Sequence, residues 1–199
     1  MKILNFGSLN VDRVFQVAHF VRPGETLGSS GYAVHAGGKG ANQSAALALA
    51  GAPVWHAGRV GADGDWLLRL LADKGVDVSL VVVGEEPTGQ AVIQVDAHGE
   101  NALLLDGGAN RAIASGQIAS TLAHFGPGDV VLLQNEISRL GEIIAAAAAK
   151  GLKVWLNPAP FDEGVARLPL DKVSTVVVNE TEGRGLAGLA DGDAEAVLA

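Results

Sequence analysis

The chain of 199 residues lacks cysteine, has few aromatic residues and contains no long apolar segment. Without cysteine it cannot form disulfides, thiolate metal sites or a cysteine nucleophile. Its longest apolar run, residues 143–149, is far too short to span a membrane, and its first residues become polar too soon for a signal peptide. Basic residues are also scarce, since 14 Lys and Arg face 22 Asp and Glu, for a net charge of −8. The composition therefore predicts a cytoplasmic protein that binds neither nucleic acid nor membranes, both of which attract clustered basic residues.

Glycine, by contrast, is abundant, with 27 residues, about twice the usual share of roughly 7%. Short aliphatic segments alternate with longer helical patterns along the chain. Continuous apolar strands separated by helices indicate a parallel sheet with helices on both faces. The predicted strands are 2–6, 54–59, 130–134, 153–156 and 175–178, and the predicted helices are 40–49, 65–74, 115–124 and 139–150.

Two segments break this alternation. Residues 89–105 alternate in polarity around a His98-Gly99 turn, which is typical of an antiparallel hairpin. Residues 13–34 alternate less regularly and resemble strands with one exposed face. Such strands inserted in an α/β domain predict a small sheet that covers a ligand or pairs with a partner.

The most informative motif is the glycine-rich segment Gly37-Gly38-Lys39-Gly40-Ala41-Asn42, which opens a helix. Adjacent glycines let a ligand approach the backbone closely. Free N–H groups of the helix N-terminus should then face that ligand, with Lys39 and Asn42 as further donors. The segment is not a Walker A loop, because Gly40 follows Lys39 where Ser or Thr would bind Mg²⁺. The alternative is a glycine-rich helix entry with a solvated lysine.

Polar side chains also follow several predicted strands, where ligands bind in open α/β sheets. Asn10 and Asp12 follow the first strand and could bind neighbouring sugar hydroxyls, or could form an Asx turn. Glu136 follows strand 130–134 in the same way. It could contact a ligand there, or it could be a first-turn acid of the next helix. Asn179 and Glu182 follow strand 175–178; their segment could hold Mg²⁺ through water or favour the next helix N-terminus.

Taken together, these residues resemble the ribokinase family of PfkB-type carbohydrate kinases over essentially the whole chain. Residues 37–61 fit the first signature of that family at Gly37, Gly38, Gly40, Asn42, Ser44, Gly51 and Gly61. Further matches are Asn10-Val11-Asp12, Thr88-Gly89, Gly108-Ala109-Asn110, Asn135-Glu136 and Asn179-Glu180-Thr181-Glu182.

The resemblance implies one three-layer α/β/α domain over residues 1–199, with a mostly parallel central sheet and a β lid at 13–34 and 89–105. It implies ATP-dependent phosphorylation of ribose at its 5-hydroxyl, with Mg²⁺ and a monovalent cation such as K⁺, in a homodimer formed through the lid. The alternatives are another sugar or nucleoside kinase, or a non-catalytic sugar-binding homologue. The implied roles are nucleotide binding for Asn179, a metal role for Glu182, and sugar binding for Asn10, Asp12, Gly37, Gly38, Lys39, Asn42 and Glu136.

The second signature of the family is missing. A Gly-Ala-Gly-Asp loop should supply the general base and an anion hole, and Asp191-Gly192-Asp193 lacks the glycine lead that such a loop needs. The resemblance therefore implies a chain that is incomplete at its C-terminal side, with no catalytic residue of its own and the base expected after Ala199.

Overall fold

Strands and helices alternate along most of the chain in the computed structural model, which describes residues 1–188. Its helices, in chain order, are α1 (Lys39–Leu49), α2 (Asp65–Asp73), α3 (Ser115–Leu122), α4 (Leu140–Ala149) and α5 (Glu180–Ala187). Its strands are β1 (Ile3–Phe6), β2 (Asn10–Gln16), β3 (Gly31–Gly37), β4 (Val54–Val60), β5 (Asp77–Val83), β6 (Gly89–Val95), β7 (Asn101–Asp106), β8 (Val130–Gln134), β9 (Lys153–Asn157) and β10 (Thr175–Val176).

The larger sheet has six strands in the order β10-β9-β8-β1-β4-β5, and every neighbouring pair is parallel. Its central strands are mostly apolar and are buried on both sides, as β8 shows with five buried residues. Apolar residues of α1 and α2 pack on one face of this sheet, and those of α3 and α4 pack on the other. The predicted three-layer fold with a parallel central sheet is therefore confirmed.

A second sheet of four strands, in the order β3-β2-β6-β7, is called the small sheet below. It contains the predicted hairpin, since β6 and β7 are antiparallel and Gly99 between them has a φ of 82°. β2 pairs with β3 in antiparallel fashion and with β6 in parallel fashion. Because side chains alternate across a strand, Asn10 and Asp12 share one face of this sheet with Ala91 of β6.

Three sequence-based expectations differ from the structure. Asn10 and Asp12 lie within β2 rather than in a turn after the first strand, so the Asx-turn alternative is wrong. β5 was not predicted; it is an edge strand whose polar residues Asp77 and Ser79 interrupt the apolar pattern. β10 spans two residues rather than four.

Asp191, Gly192 and Asp193 lie outside the described residues. Within residues 1–188, no helix combines the length and apolar character needed to cross a bilayer.

Candidate functional site

A cavity of about 160 Å³ lies between the start of α1, the loop after β8 and one face of the small sheet. Six of the seven residues predicted to bind sugar line it: Asn10, Asp12, Gly38, Lys39, Asn42 and Glu136. The small sheet adds an apolar wall formed by Ala91, Ile93, Leu103 and Leu105.

The seventh predicted residue, Gly37, is buried directly against Asp12. A Cβ atom at Gly37 would lie 2.1 Å from both carboxylate oxygens of Asp12. Any larger residue would therefore push the Asp12 side chain out of position. Gly37 thus acts on the cavity by leaving room for Asp12.

The first N–H groups of α1 are already occupied. The main-chain nitrogen of Lys39 donates to Glu136 Oε2 at 2.9 Å, and that of Gly40 donates to Ser8 Oγ at 3.2 Å. The nitrogen of Ala41 donates to the Ser8 carbonyl oxygen at 2.9 Å. The expectation that free N–H groups of this helix face a ligand is therefore wrong, because protein oxygens already satisfy them.

Glu136, in the loop after β8, links that loop to the start of α1 and to Ser8. Its Oε1 accepts from Lys39 Nζ at 2.8 Å, and its Oε2 accepts from Ser8 Oγ at 2.5 Å. Its side chain is only 10% exposed. The alternative role in the helix that follows is wrong, because α4 begins at Leu140 and Glu136 instead caps α1 from across the sheet.

The carboxylate of Asp12, unlike that of Glu136, has no hydrogen-bond partner among residues 1–188. Asp12 nevertheless lines the cavity. Burial raises the pKa of Asp12, and the nearby negative charge of Glu136 raises it further, against opposing effects of His35 and Lys39. A carboxylate that is partly desolvated and unpaired can accept hydrogen bonds from a ligand that carries hydroxyl groups.

A network of buried polar side chains lies between α1 and the central sheet and was not predicted. Asn5 Nδ2 donates to the Gly40 carbonyl at 2.7 Å and to Ser44 Oγ at 2.8 Å, and Gln134 Nε2 donates to Asn5 Oδ1 at 3.0 Å. Ser44 Oγ lies 2.8 Å from His56 Nδ1. Burial lowers the pKa of His56 to about 4, so this ring is neutral at pH 7. These contacts attach α1 to the central sheet.

One signal in the sequence could have revealed this network of hydrogen bonds. Asn5, His56 and Gln134 interrupt strands that are otherwise apolar, and a polar residue in a buried strand needs a partner.

The structure does not bring Asn179 and Glu182 to this cavity. Asn179 Oδ1 accepts from the Glu182 main-chain nitrogen at 2.8 Å, and Glu182 Oε2 accepts from the Asn179 nitrogen at 3.0 Å. This reciprocal pair is a capping box at the start of α5. Among residues 1–188, no three His, Asp or Glu side chains are grouped to hold a metal ion. The nucleotide and Mg²⁺ roles of these two residues stay predictions.

A model of pfkB family carbohydrate kinases matches residues 1–199. The chain belongs to the pfkB family of carbohydrate kinases. The ribokinase of Haemophilus influenzae is 36% identical to this pfkB-family chain over 197 residues, covering 96% of the chain and 64% of the relative.

Two solved structures show the same fold. The ribokinase of Arabidopsis thaliana complexed with ribose and ATP has a TM-score of 0.85 and 30% identity, over 98% of this pfkB-family chain and 65% of that one. The ribokinase of Cryptococcus neoformans in complex with ADP has a TM-score of 0.81 and 36% identity, over 98% and 64% of the two chains. The pfkB-family chain spans less than two thirds of the length of the curated relatives it matches.

Proposed function

We propose that the protein binds ribose in the cavity between α1 and the small sheet and serves ATP-dependent phosphorylation of the ribose 5-hydroxyl. The observation that carries this proposal is the unpaired Asp12 carboxylate, which lines the same cavity as Asn10, Asn42 and Glu136. The relatives named ribokinase, one of them in complex with ribose and ATP, support the choice of sugar and of phosphate donor.

The cavity has two chemically different walls, as a furanose requires. Asp12 supplies a hydrogen-bond acceptor for hydroxyl groups, and Asn10 and Asn42 supply amides that can donate or accept. Ile93, Leu103 and other apolar residues of the small sheet would cover the carbon skeleton of the sugar. A sugar held on both sides has its orientation fixed before transfer, and positioning makes a large contribution to phosphoryl-transfer catalysis.

Proton removal is the step that we do not assign to residues 1–188. Glu136 already accepts from Ser8 and Lys39, and we assign Asp12 to sugar binding. We propose that the general base belongs to the region of the relatives that this chain does not match. Mg²⁺ would neutralise phosphate charge when bound with ATP, and a monovalent cation such as K⁺ would be a further ion of the complete enzyme. Asn179 at the nucleotide and Glu182 near Mg²⁺ remain the proposed contacts.

Homodimer formation through the small sheet is a second part of the proposal. β3 and β7 form the two edges of this sheet, and exposed strand edges favour pairing with another chain. Leu104 of β7 is 72% exposed, and Tyr32 and Val34 of β3 are also exposed. A second copy of the chain would cover these apolar groups. We place the protein in the cytoplasm, where free sugars and ATP are both available.

The proposal is tested by calorimetric titration of the chain with ribose, 2-deoxyribose, fructose and adenosine. We expect ribose to bind most tightly. A preference for adenosine or fructose would overturn the assignment of ribose in favour of another member of the family. With ATP and Mg²⁺ added, we expect a polypeptide ending at Ala199 to bind ribose without forming ribose 5-phosphate. Product detected by mass spectrometry would show that the general base lies within this chain.

A further inference from the structure

The motif Gly108-Ala109-Asn110 has no role in the site described so far. It forms a short 3-10 turn directly after β7, the last strand of the small sheet. The Asn110 side chain is almost completely enclosed, with 1% of the residue exposed. A buried amide has to satisfy its hydrogen bonds. The partners of the Asn110 amide are Leu9 and Asn10, and Asn10 lines the cavity.

Asn110 holds the main chain just before β2. Its Oδ1 accepts from the Leu9 main-chain nitrogen at 3.1 Å, and its Nδ2 donates to the Leu9 carbonyl oxygen at 3.1 Å. Because a backbone N–H can only donate and a carbonyl can only accept, this pair of contacts allows one orientation of the Asn110 amide. The Asn110 atom that faces the Leu9 carbonyl oxygen is therefore the nitrogen Nδ2, which is a donor.

That donor fixes the amide of Asn10. Asn110 Nδ2 also donates to the Asn10 side chain at 2.8 Å, so the Asn10 atom that faces it must be the acceptor, Oδ1. The Nδ2 group of Asn10 consequently points away from Asn110, and it has no hydrogen-bond partner among residues 1–188. Since the Asn10 side chain lines the cavity, this donor is left for a ligand.

Gly89, in the Thr88-Gly89 match, makes the contact between the two amides possible. A Cβ atom at Gly89 would lie 2.2 Å from Asn110 Nδ2 and 2.4 Å from Asn10 Oδ1. Both distances are far below van der Waals contact, so a side chain here would separate the two amides.

We propose that Asn110 is a positioning residue that turns the Asn10 amide so that its nitrogen donates to an oxygen of the bound sugar. The cavity then presents a donor at Asn10 and an acceptor at Asp12, and it selects a ligand with an acceptor oxygen beside a hydroxyl group. The identity of the ligand rests on the proposed function, whereas the orientation of Asn10 does not.

The orientation is tested without ligand, by hydrogen exchange of side-chain amides in NMR spectra of the full chain. We expect slow exchange for Asn110 Nδ2 and fast exchange for Asn10 Nδ2. In Asn110→Ala, Asn10 loses its fixed partner, and its two amide protons should change in chemical shift. Slow exchange at Asn10 with fast exchange at Asn110, or an Asn10 signal unaffected by Asn110→Ala, would overturn the proposal.

The consequence for binding is tested with a double-mutant cycle of Asn10→Ala and Asn110→Ala, measured as ribose affinity. One neutral hydrogen bond corresponds to about 3- to 10-fold in affinity, so each single variant should weaken binding by roughly that factor. In the Asn10→Ala background, Asn110→Ala should cause no further loss, because its effect passes through Asn10. An equal loss in both backgrounds would show a merely structural role and would overturn the proposal.

Gln117→Leu is the matched control, since Gln117 is also a buried amide that donates to a carbonyl, that of Gly58, but lies outside the cavity lining. It should leave ribose affinity unchanged. If the unmodified chain does not bind ribose at all, the proposed function fails, and amide exchange alone then decides whether Asn110 orients Asn10.

Discussion

Lys39 and Glu136 lie 97 positions apart in the sequence, yet Lys39 contacts both carboxylate oxygens of Glu136, through Nζ at 2.8 Å and through its main-chain nitrogen at 2.9 Å. One acidic side chain thus neutralises the lysine and caps the positive end of α1. Because this pair cancels its own charge, the remaining negative charge in the cavity lining belongs to Asp12. The site is therefore suited to a neutral polyhydroxy ligand rather than to an anion.

Replacing Glu136 should destabilise the fold as well as the site. Glu136→Gln keeps the shape but removes the charge to which Lys39 and Ser8 donate, so the free energy of unfolding should fall by about 1–3 kcal/mol. Glu142→Gln is the control, because Glu142 forms an exposed ion pair with Arg139 and should change stability less than Glu136→Gln does. Urea unfolding followed by circular dichroism measures both. Equal stability of the two variants would contradict the capping role of Glu136.

The buried histidine beneath α1 should make the protein sensitive to acid. Burial lowers the pKa of His56 from 6.5 to about 4, so the unfolded chain binds a proton between these values and the folded chain does not. Stability should therefore fall as the pH drops from 7 to 4.5, by about 2–3 kcal/mol from this residue. Urea unfolding at several pH values measures the effect.

His56→Gln should show a flatter pH profile than the unmodified chain. His98→Gln, which removes a histidine from the exposed hairpin turn, is the matched control. An identical pH dependence for His56→Gln and the unmodified chain would show that His56 does not stay neutral in the fold.

The small sheet should be the dimer interface. Leu104→Glu places a charge on an exposed position of the edge strand β7, so it should disrupt association without disturbing the core. Sedimentation at tens of micromolar should give a dimer for the unmodified chain and a monomer for the variant. A monomeric unmodified chain would contradict the proposal. A dimeric variant would show that the interface lies elsewhere.

Much of the architecture could be predicted because its residues carry strong local patterns. The strand Val130–Gln134 was predicted to the residue, since four consecutive apolar residues precede Gln134 between polar turns. The proposed sugar-binding residues were inferred from the family resemblance, and the structure brings Asn10, Lys39 and Glu136 to one cavity.

The remaining features depend on contacts between distant segments. Nothing near Glu136 in the sequence shows that it caps a helix 97 positions away. Asn110 likewise acts through Leu9 and Asn10, and only the folded chain brings these residues together. The hydrogen bonds of the polar residue Asn5 were not predicted, because strand prediction weighs the apolar majority of a segment rather than its exceptions.

Ribose affinity should depend on pH through Asp12. Because burial and Glu136 raise the pKa of Asp12 above its ordinary value of 3.8, affinity should be constant near neutral pH and should decline on acidification before a free aspartate would titrate. The ionised form is disfavoured in the fold, so Asp12→Asn should be more stable than the unmodified chain near pH 7. That advantage should vanish below pH 3.8. Calorimetry at several pH values measures the ribose affinity, and urea unfolding at the same pH values measures the stability. An Asp12→Asn variant that is less stable than the unmodified chain at pH 7 would contradict the raised pKa of Asp12.

The most direct measurement of the central claim is a calorimetric titration with ribose at pH 7 on the unmodified chain, Asp12→Ala and Asp73→Ala. Asp73 is an exposed aspartate at the end of α2 and serves as the matched control. A hydrogen bond to a charged group corresponds to roughly 10- to 100-fold in affinity. We predict a loss of that size for Asp12→Ala and unchanged binding for Asp73→Ala. Unchanged ribose affinity in a folded Asp12→Ala protein would contradict the assignment of this cavity as the sugar site.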